Sequence, residues 1–208
     1  MNKIIIIENW LPEDLAEDVA NRIEKINDWS IRICDKDKGP RIVDPSVLGQ
    51  LGFFPEDYAS STIPSLVNLA RQGTMAYLFF VKALIQFDPS LYRMFHTDLI
   101  PKVNEVMGQN NTYLEEPQVT MYTSGCFLGQ HSDGVGNRNV AFIANFSRGW
   151  QPDFGGCLTI LEGGEWKTIP PKFNSLVLMD VRAGSCHYVS QVATWVNKKR
   201  IAITGWLG

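Results

Sequence analysis

Three side chains in the second half of the chain have the types and spacing to hold a metal ion. His131 and Asp133 stand two apart in the run GCFLGQHSDGVG. On an extended chain such residues point to one side, so an imidazole and a carboxylate from this pair can grip one ion. The same residues also read as a strand end followed by an Asp-Gly turn. His187, beside a strand-like run about fifty residues later, would complete a set of two imidazoles and one carboxylate. That set leaves positions open on Fe(II) for a co-substrate and O2. Zinc accepts the same donors, so they do not fix the metal by themselves. The remaining histidine, His96, falls in SLYRMFHTDL and reads as a helix-surface or packing residue.

Arg200 opens the segment RIAITGW. Period two puts Arg200, Ala202 and Thr204 on one face and Ile201 and Ile203 on the other. A guanidinium and a hydroxyl on an otherwise small, inward stripe suit a carboxylate, which accepts a bidentate pair of hydrogen bonds. Alone, Arg200 also reads as the end of the surface run Lys198-Lys199-Arg200.

The elements that would position these groups change character along the chain. Lys3 to Ile7 reads as an edge strand. Leu11-Pro12-Glu13-Asp14 reads as a helix start, and Leu15, Val19, Ile23 and Ile26 give that helix an apolar face. Trp29 to Ile33 reads as a strand. Residues 35–58, rich in Asp, Gly and Pro, form a long connection expected to cover something. Ile63 to Phe87 and Pro89 to Met107 read as helical, the second interrupted at Pro101. After Glu116 short apolar runs follow one another: 118–122, 139–146, 157–161, 175–180, 187–189 and 200–206. Strands at this spacing predict a sandwich or jelly roll with helices packed outside it. The expectation is one domain, 1–208, with a mostly helical support region 1–115 and a β core 116–208.

Composition excludes some classes. The 208 residues are 45% apolar with six Trp, against global disorder. A net charge of -3 without a basic block speaks against nucleic acid. No run reaches the length of a membrane span, and the first residues do not read as a signal peptide. Cys34, Cys126, Cys157 and Cys186 contain no C-x-x-C pair and read as thiols of a reducing cytoplasm.

Taken in order, the segments VTMYTSG, FLGQHSDG, Arg138 with the strand after it, GWQPDFGGCLTIL, FNSLVLMD, GSCHYVS and KRIAITGW resemble the Fe(II)/2-oxoglutarate-dependent dioxygenases of the prolyl 4-hydroxylase type. The resemblance covers Pro117 to Leu207. It implies an α+β fold with a double-stranded β-helix (jelly roll) core. It also implies Fe(II), with 2-oxoglutarate and O2 as co-substrates. His131, Asp133 and His187 would bind the iron. Arg200 would pair with the distal carboxylate of 2-oxoglutarate, assisted by Thr204 and Tyr122. Where many relatives carry a tyrosine one strand on, this chain has Asn145. Halogenating relatives replace the carboxylate ligand by a small residue, so Asp133 favours hydroxylation.

The segment from His187 to Arg200 is longer than in many relatives. Its extra loop, QVATWVN, makes Trp195 a lid or a packing residue. Gly155-Gly156 reads as a point of tight backbone approach. Asn137, Arg138, Arg148 and Trp150 are near enough to the motif to line a substrate mouth. The expected reaction is hydroxylation of an unactivated C–H bond with release of succinate and CO2. The expected substrate is a free amino acid or similar small molecule. A peptidyl prolyl hydroxylase and an inactive jelly-roll binding module are the alternatives.

Overall fold

The computed structural model describes residues 3–35, 39–43, 68, 72, 76–184 and 186–208. Eight strands from the second half build the core: β5 (Leu114–Tyr122), β6 (Phe127–Ser132), β7 (Val140–Asn145), β8 (Leu158–Glu162), β9 (Glu165–Ile169), β10 (Ser175–Asp180), β11 (Cys186–Val189) and β12 (Arg200–Leu207). They pair antiparallel as two curved halves, β10-β7-β12-β5 and β6-β11-β8-β9. Apart from the β8–β9 hairpin, neighbours in each half are not consecutive in sequence, which is the winding of a double-stranded β-helix.

Strands from the first half extend this roll. β1 (Ile4–Glu8) pairs with β10 at one end of the strand order. β4 (Tyr77–Ala83) stands between β5 and β6, joining the two halves into one curled sheet. β2 (Ser30–Asp35) pairs with β4, and β3 (Gly39–Val43) with β2.

Alternation along the strands sorts the apolar residues into two layers. On β7 and β10, Ala141, Ile143, Val177 and Met179 point into the roll, where they meet Tyr122, Leu158 and Ile160. Phe142, Ala144, Leu176 and Leu178 face outward onto the helices. Both faces of these strands are buried, so all six residues of β7 are buried.

The helices covering the outer face are α1 (Glu13–Glu24), α2 (Leu84–Phe87), α3 (Pro89–Met94) and α4 (Ile100–Met107). Ala16, Val19, Ala20 and Ile23 form the buried stripe of α1. Asp88 caps α3 by accepting hydrogen bonds from the Ser90 and Leu91 amides, and it pairs with Arg22 of α1. A wide π turn, Phe95–Leu99, links α3 to α4, and Pro101 lies in the first turn of α4. Proline has no N–H to donate back into the preceding turn, so the irregularity falls beside the expected interruption.

Two expectations change. Residues 77–83 are a strand, not part of a helix: YLFFVKA is an unbroken apolar run that periodicity cannot separate from a buried helix. The first 115 residues are therefore not only a helical support, since they supply four strands as well. The expected cover at residues 35–58 lies largely outside the described residues, as do 63–67, 69–71 and 73–75 of the expected helix. Among the described residues, no helix is long and apolar enough to cross a membrane.

Candidate metal centre and its cavity

β6 delivers His131 to the interior across a register shift against β11: His131 pairs with His187 and Leu128 with Val189, and all four line the cavity. His187 on β11 is its cross-strand partner, with the two ring centroids 4.2 Å apart. Asp133 follows the end of β6, where the chain turns, and Val135 N donates to Asp133 O at 2.7 Å. A Cβ on Gly134 would stand 2.6 Å from the Val181 carbonyl oxygen, so the turn accepts only glycine there.

The carboxylate sits between the two imidazoles. Asp133 Oδ1 is 3.5 Å from His131 Nε2, and Oδ2 is 3.2 Å from His187 Nε2. His131 Nδ1 lies 2.9 Å from the Gly129 carbonyl oxygen. A carbonyl only accepts, so Nδ1 holds a proton toward it, and Nε2 faces the Asp133 carboxylate and would become the ligand atom for a metal. One donor atom from each of the three residues lies within 4.8 Å of the other two. Burial alone would raise the Asp133 pKa, but hydrogen bonds with His131 and His187 outweigh it and hold the carboxyl below its ordinary range. This donor set fits Fe(II).

A cavity of about 270 Å³ opens beside the cluster. Arg200 and Thr204 line it from β12, and Tyr122 from β5. Arg200 is only 2% exposed. Its guanidinium carbon lies 4.9 Å from the centre of the Tyr122 ring. Its Nε has no partner, and among the described residues no carboxylate pairs with it. Burial pushes its pKa down and pushes that of the Tyr122 phenol up. A buried, uncompensated guanidinium is costly unless an anion joins it. It therefore fits the distal carboxylate of 2-oxoglutarate. Gly156 supports this arrangement. A Cβ there would stand 3.1 Å from Arg200 Cδ and from Val192 Cγ2, on a backbone with φ +63°.

The remaining predicted residues divide. Arg138 lines the cavity, lies 3.7 Å over the Trp206 ring and pairs with Glu115 at 2.6 Å. Asn145 is buried but does not line the cavity; its Nδ2 donates to Ser175 Oγ at 3.1 Å. Four substrate-mouth candidates lie off the cavity. Asn137 is exposed on the turn before β7. Arg148 turns to α1 and binds Glu17 and Glu24 at 2.5 and 2.7 Å. Trp150 donates to the Gly155 carbonyl at 2.9 Å. Trp195 is 64% exposed and packs edge-on against Phe154. Parity and pairing explain these outcomes. Arg148 and Trp150 follow β7 on a connection that faces helix and loop rather than the interior. His96 is exposed, as expected.

Sequence reasoning missed several cavity residues. Trp206 shares the inward parity of Arg200, Ala202 and Thr204, so period two carried the signal. Arg32, Tyr77 and Phe79 arrive on β2 and β4, and Phe79 stacks on Tyr122 at 5.1 Å with the planes 8° apart. No local pattern announces that those strands wall the site.

A family model described as the 2OG-Fe(II) oxygenase superfamily matches residues 117–208. Over that stretch the chain is similar to this superfamily. Its sequence is 34% identical over 99 residues to a prolyl 3,4-dihydroxylase OGFOD1 of Ostreococcus tauri. That stretch is 41% of this chain and 19% of the relative, so the chain matches about a fifth of that protein's length. A Pseudomonas putida prolyl-4-hydroxylase superimposes with a TM-score of 0.55 at 17% identity, covering 100% of this chain and 92% of that one. A Trichoplax adhaerens prolyl hydroxylase, in complex with a hypoxia inducible factor oxygen degradation domain peptide fragment, also gives 0.55 at 17% identity, covering 98% and 82%. At these identities the structural likeness is one of fold.

These comparisons overturn one expectation. A free amino acid or similar small molecule was the anticipated substrate and partner. The relatives are prolyl hydroxylases, and one neighbour holds a peptide. The small-molecule expectation rested on the compactness of the chain, which says nothing about what a cavity mouth admits.

Proposed function

We propose that this chain is an Fe(II)- and 2-oxoglutarate-dependent hydroxylase acting on a prolyl residue of a protein or peptide. The observation that carries the reading is the pairing of His131, Asp133 and His187 with a buried Arg200 that has no carboxylate partner among the described residues, around one cavity. When bound, iron with 2-oxoglutarate and O2 supplies oxidative decarboxylation to succinate and CO2 and places one oxygen in an unactivated C–H bond.

The chain's own residues do the positioning. His131 and His187 offer imidazole nitrogens, and Asp133 offers a carboxylate. Arg200 anchors the distal carboxylate of the co-substrate. Tyr122 stands beside that anchor, with its ring orientation held by Phe79. Thr204 presents a hydroxyl from the same strand face as Arg200. Leu128, Ile143 and Leu158 supply apolar wall that excludes water from the reacting centre. In this reading 116–208 is the catalytic core of a single domain, 1–208. Buried Cys126 and Cys157, as thiols, suit a cytoplasmic location.

The test is incubation of iron-loaded protein with 2-oxoglutarate, O2 and proline-containing peptides, followed by mass spectrometry. The reading expects a gain of one oxygen on proline, matched by succinate release. Succinate release matched instead by oxidation of a free amino acid, with every peptide unmodified, would refute the peptidyl assignment.

A further inference from the structure

The charges around the cavity leave a second cation over. Among the described residues, three guanidiniums line it, from Arg32, Arg138 and Arg200, together with the carboxylates of Glu116 and Asp133. Asp133 is held between the two imidazoles. Arg138 is taken by Glu115 at 2.6 Å and Glu116 at 3.6 Å. Arg200 is assigned above to the co-substrate. Among the described residues Arg32 meets only neutral groups: its Nη1 lies 3.5 Å from Gln118 Oε1, and the Tyr77 phenol stands beside it. Among the described residues no carboxylate pairs with it.

Its place in the fold separates it from Arg200. On the β5–β12 pair, Arg200 stands opposite Tyr122 and Thr204 opposite Gln118. Four residues along a strand is about 14 Å. Arg200 therefore serves one end of the cavity. Arg32, reaching Gln118 from β2, serves the other end, where Trp206 and Arg138 stand. Arg32 is cross-strand partner to Phe79, so both side chains project from the same face of β2 and β4.

We propose that Arg32 determines substrate specificity by binding the carboxylate of an Asp or Glu side chain near the target proline. The inference rests on the peptidyl-hydroxylase reading. A half-buried guanidinium whose nearest partners are an amide oxygen and a phenol keeps donors for a bidentate carboxylate pair. Its distance from Arg200 leaves the co-substrate anchor undisturbed. Glu116, which lines the cavity, is already turned to Arg138.

The test uses synthetic peptides with one proline and one Glu, stepped from three residues before the proline to three after, and the same set with Gln. Binding is measured by fluorescence anisotropy on anaerobic, iron- and 2-oxoglutarate-loaded protein, and hydroxylation is measured separately. At one register the Glu peptide should bind about 10-fold or more tighter than its Gln counterpart. Arg32→Gln should erase that difference, Arg32→Lys should retain part of it, and Arg32→Glu should favour a Lys peptide. All three variants should bind 2-oxoglutarate like the parent protein. Equal binding of Glu and Gln peptides at every register would overturn the proposal. So would a Glu preference that survives Arg32→Gln, or a loss of 2-oxoglutarate affinity in Arg32→Lys. Glu-selective binding without any hydroxylation would leave the Arg32 proposal standing and sink the hydroxylase reading alone.

Discussion

Replacing Arg200 by Met should strengthen the empty protein and cripple its grip on 2-oxoglutarate. Arg200 is 2% exposed, its Nε has no partner, and among the described residues it has no carboxylate. Leaving such a group buried costs about 1–3 kcal/mol. Its contact with the Tyr122 ring, 4.9 Å away, returns about 1 kcal/mol. Methionine fills most of the same stem volume without the charge, so the apo fold should gain about 1 kcal/mol. For a chain of 208 residues that is a rise in Tm of about 2–4 °C.

With co-substrate the sign reverses. Removing one partner of a buried charge-assisted pair costs about 2–5 kcal/mol, and about 3 kcal/mol is a loss of about 150-fold in affinity. In parent protein, 2-oxoglutarate at about 100 times its Kd adds about 2.7 kcal/mol of stability. At the same concentration the variant should show almost none. The assay is a thermal melt of anaerobic, iron-loaded protein with and without 2-oxoglutarate. A variant that melts several degrees lower when empty, yet keeps the full ligand-induced rise, would make Arg200 a structural residue and refute the reasoning.

Three further outcomes follow from the geometry. The Asp133 carboxyl is held below its ordinary range, so its charged form contributes stability that is complete above the unfolded pKa of about 3.9 and fades as pH falls below it. Metal-free Asp133→Asn should therefore lose less stability than the parent between about pH 4 and pH 2, as read by acid titration of ellipticity; equal acid slopes would contradict this. Gly156→Ala pushes a methyl to 3.1 Å from Arg200 Cδ at φ +63°, costing about 1–3 kcal/mol in stability and weakening 2-oxoglutarate at least several-fold; unchanged binding of 2-oxoglutarate would remove Gly156 from the anchor. Arg148→Ala breaks contacts to Glu17 and Glu24 on α1 and should lower stability by about 1 kcal/mol, with kcat and KM unchanged; a raised peptide KM would return Arg148 to the substrate mouth.

Much of the site was legible because strand parity is a rigid rule. His131 with Asp133, and Arg200 with Thr204, needed only period two, and the roll then brings β6, β11 and β12 around one cavity. Six core strands were visible as short apolar runs between turn residues. β9 was not, because EWKTI is almost wholly exposed and lacks an apolar face. β4 failed for the opposite reason: it is buried on both faces and carries no period. The far wall of the cavity was hidden with it. Arg32 and Phe79 reach the cavity only through pairings of β2 with β4 and of β4 with β5, which are set by tertiary packing. The substrate-mouth residues were chosen by nearness in sequence, and the turn after β7 carries Arg148 and Trp150 away from the interior.

Anaerobic binding of Fe(II) and 2-oxoglutarate, followed by visible spectroscopy, tests the metal centre and its co-substrate anchor most directly. Chelation of the iron by 2-oxoglutarate should give a weak metal-to-ligand absorption band in the parent protein. The band should vanish in His187→Ala and require far more 2-oxoglutarate in Arg200→Met. Iron-loaded parent protein that gives no band and binds no 2-oxoglutarate would contradict the central claim.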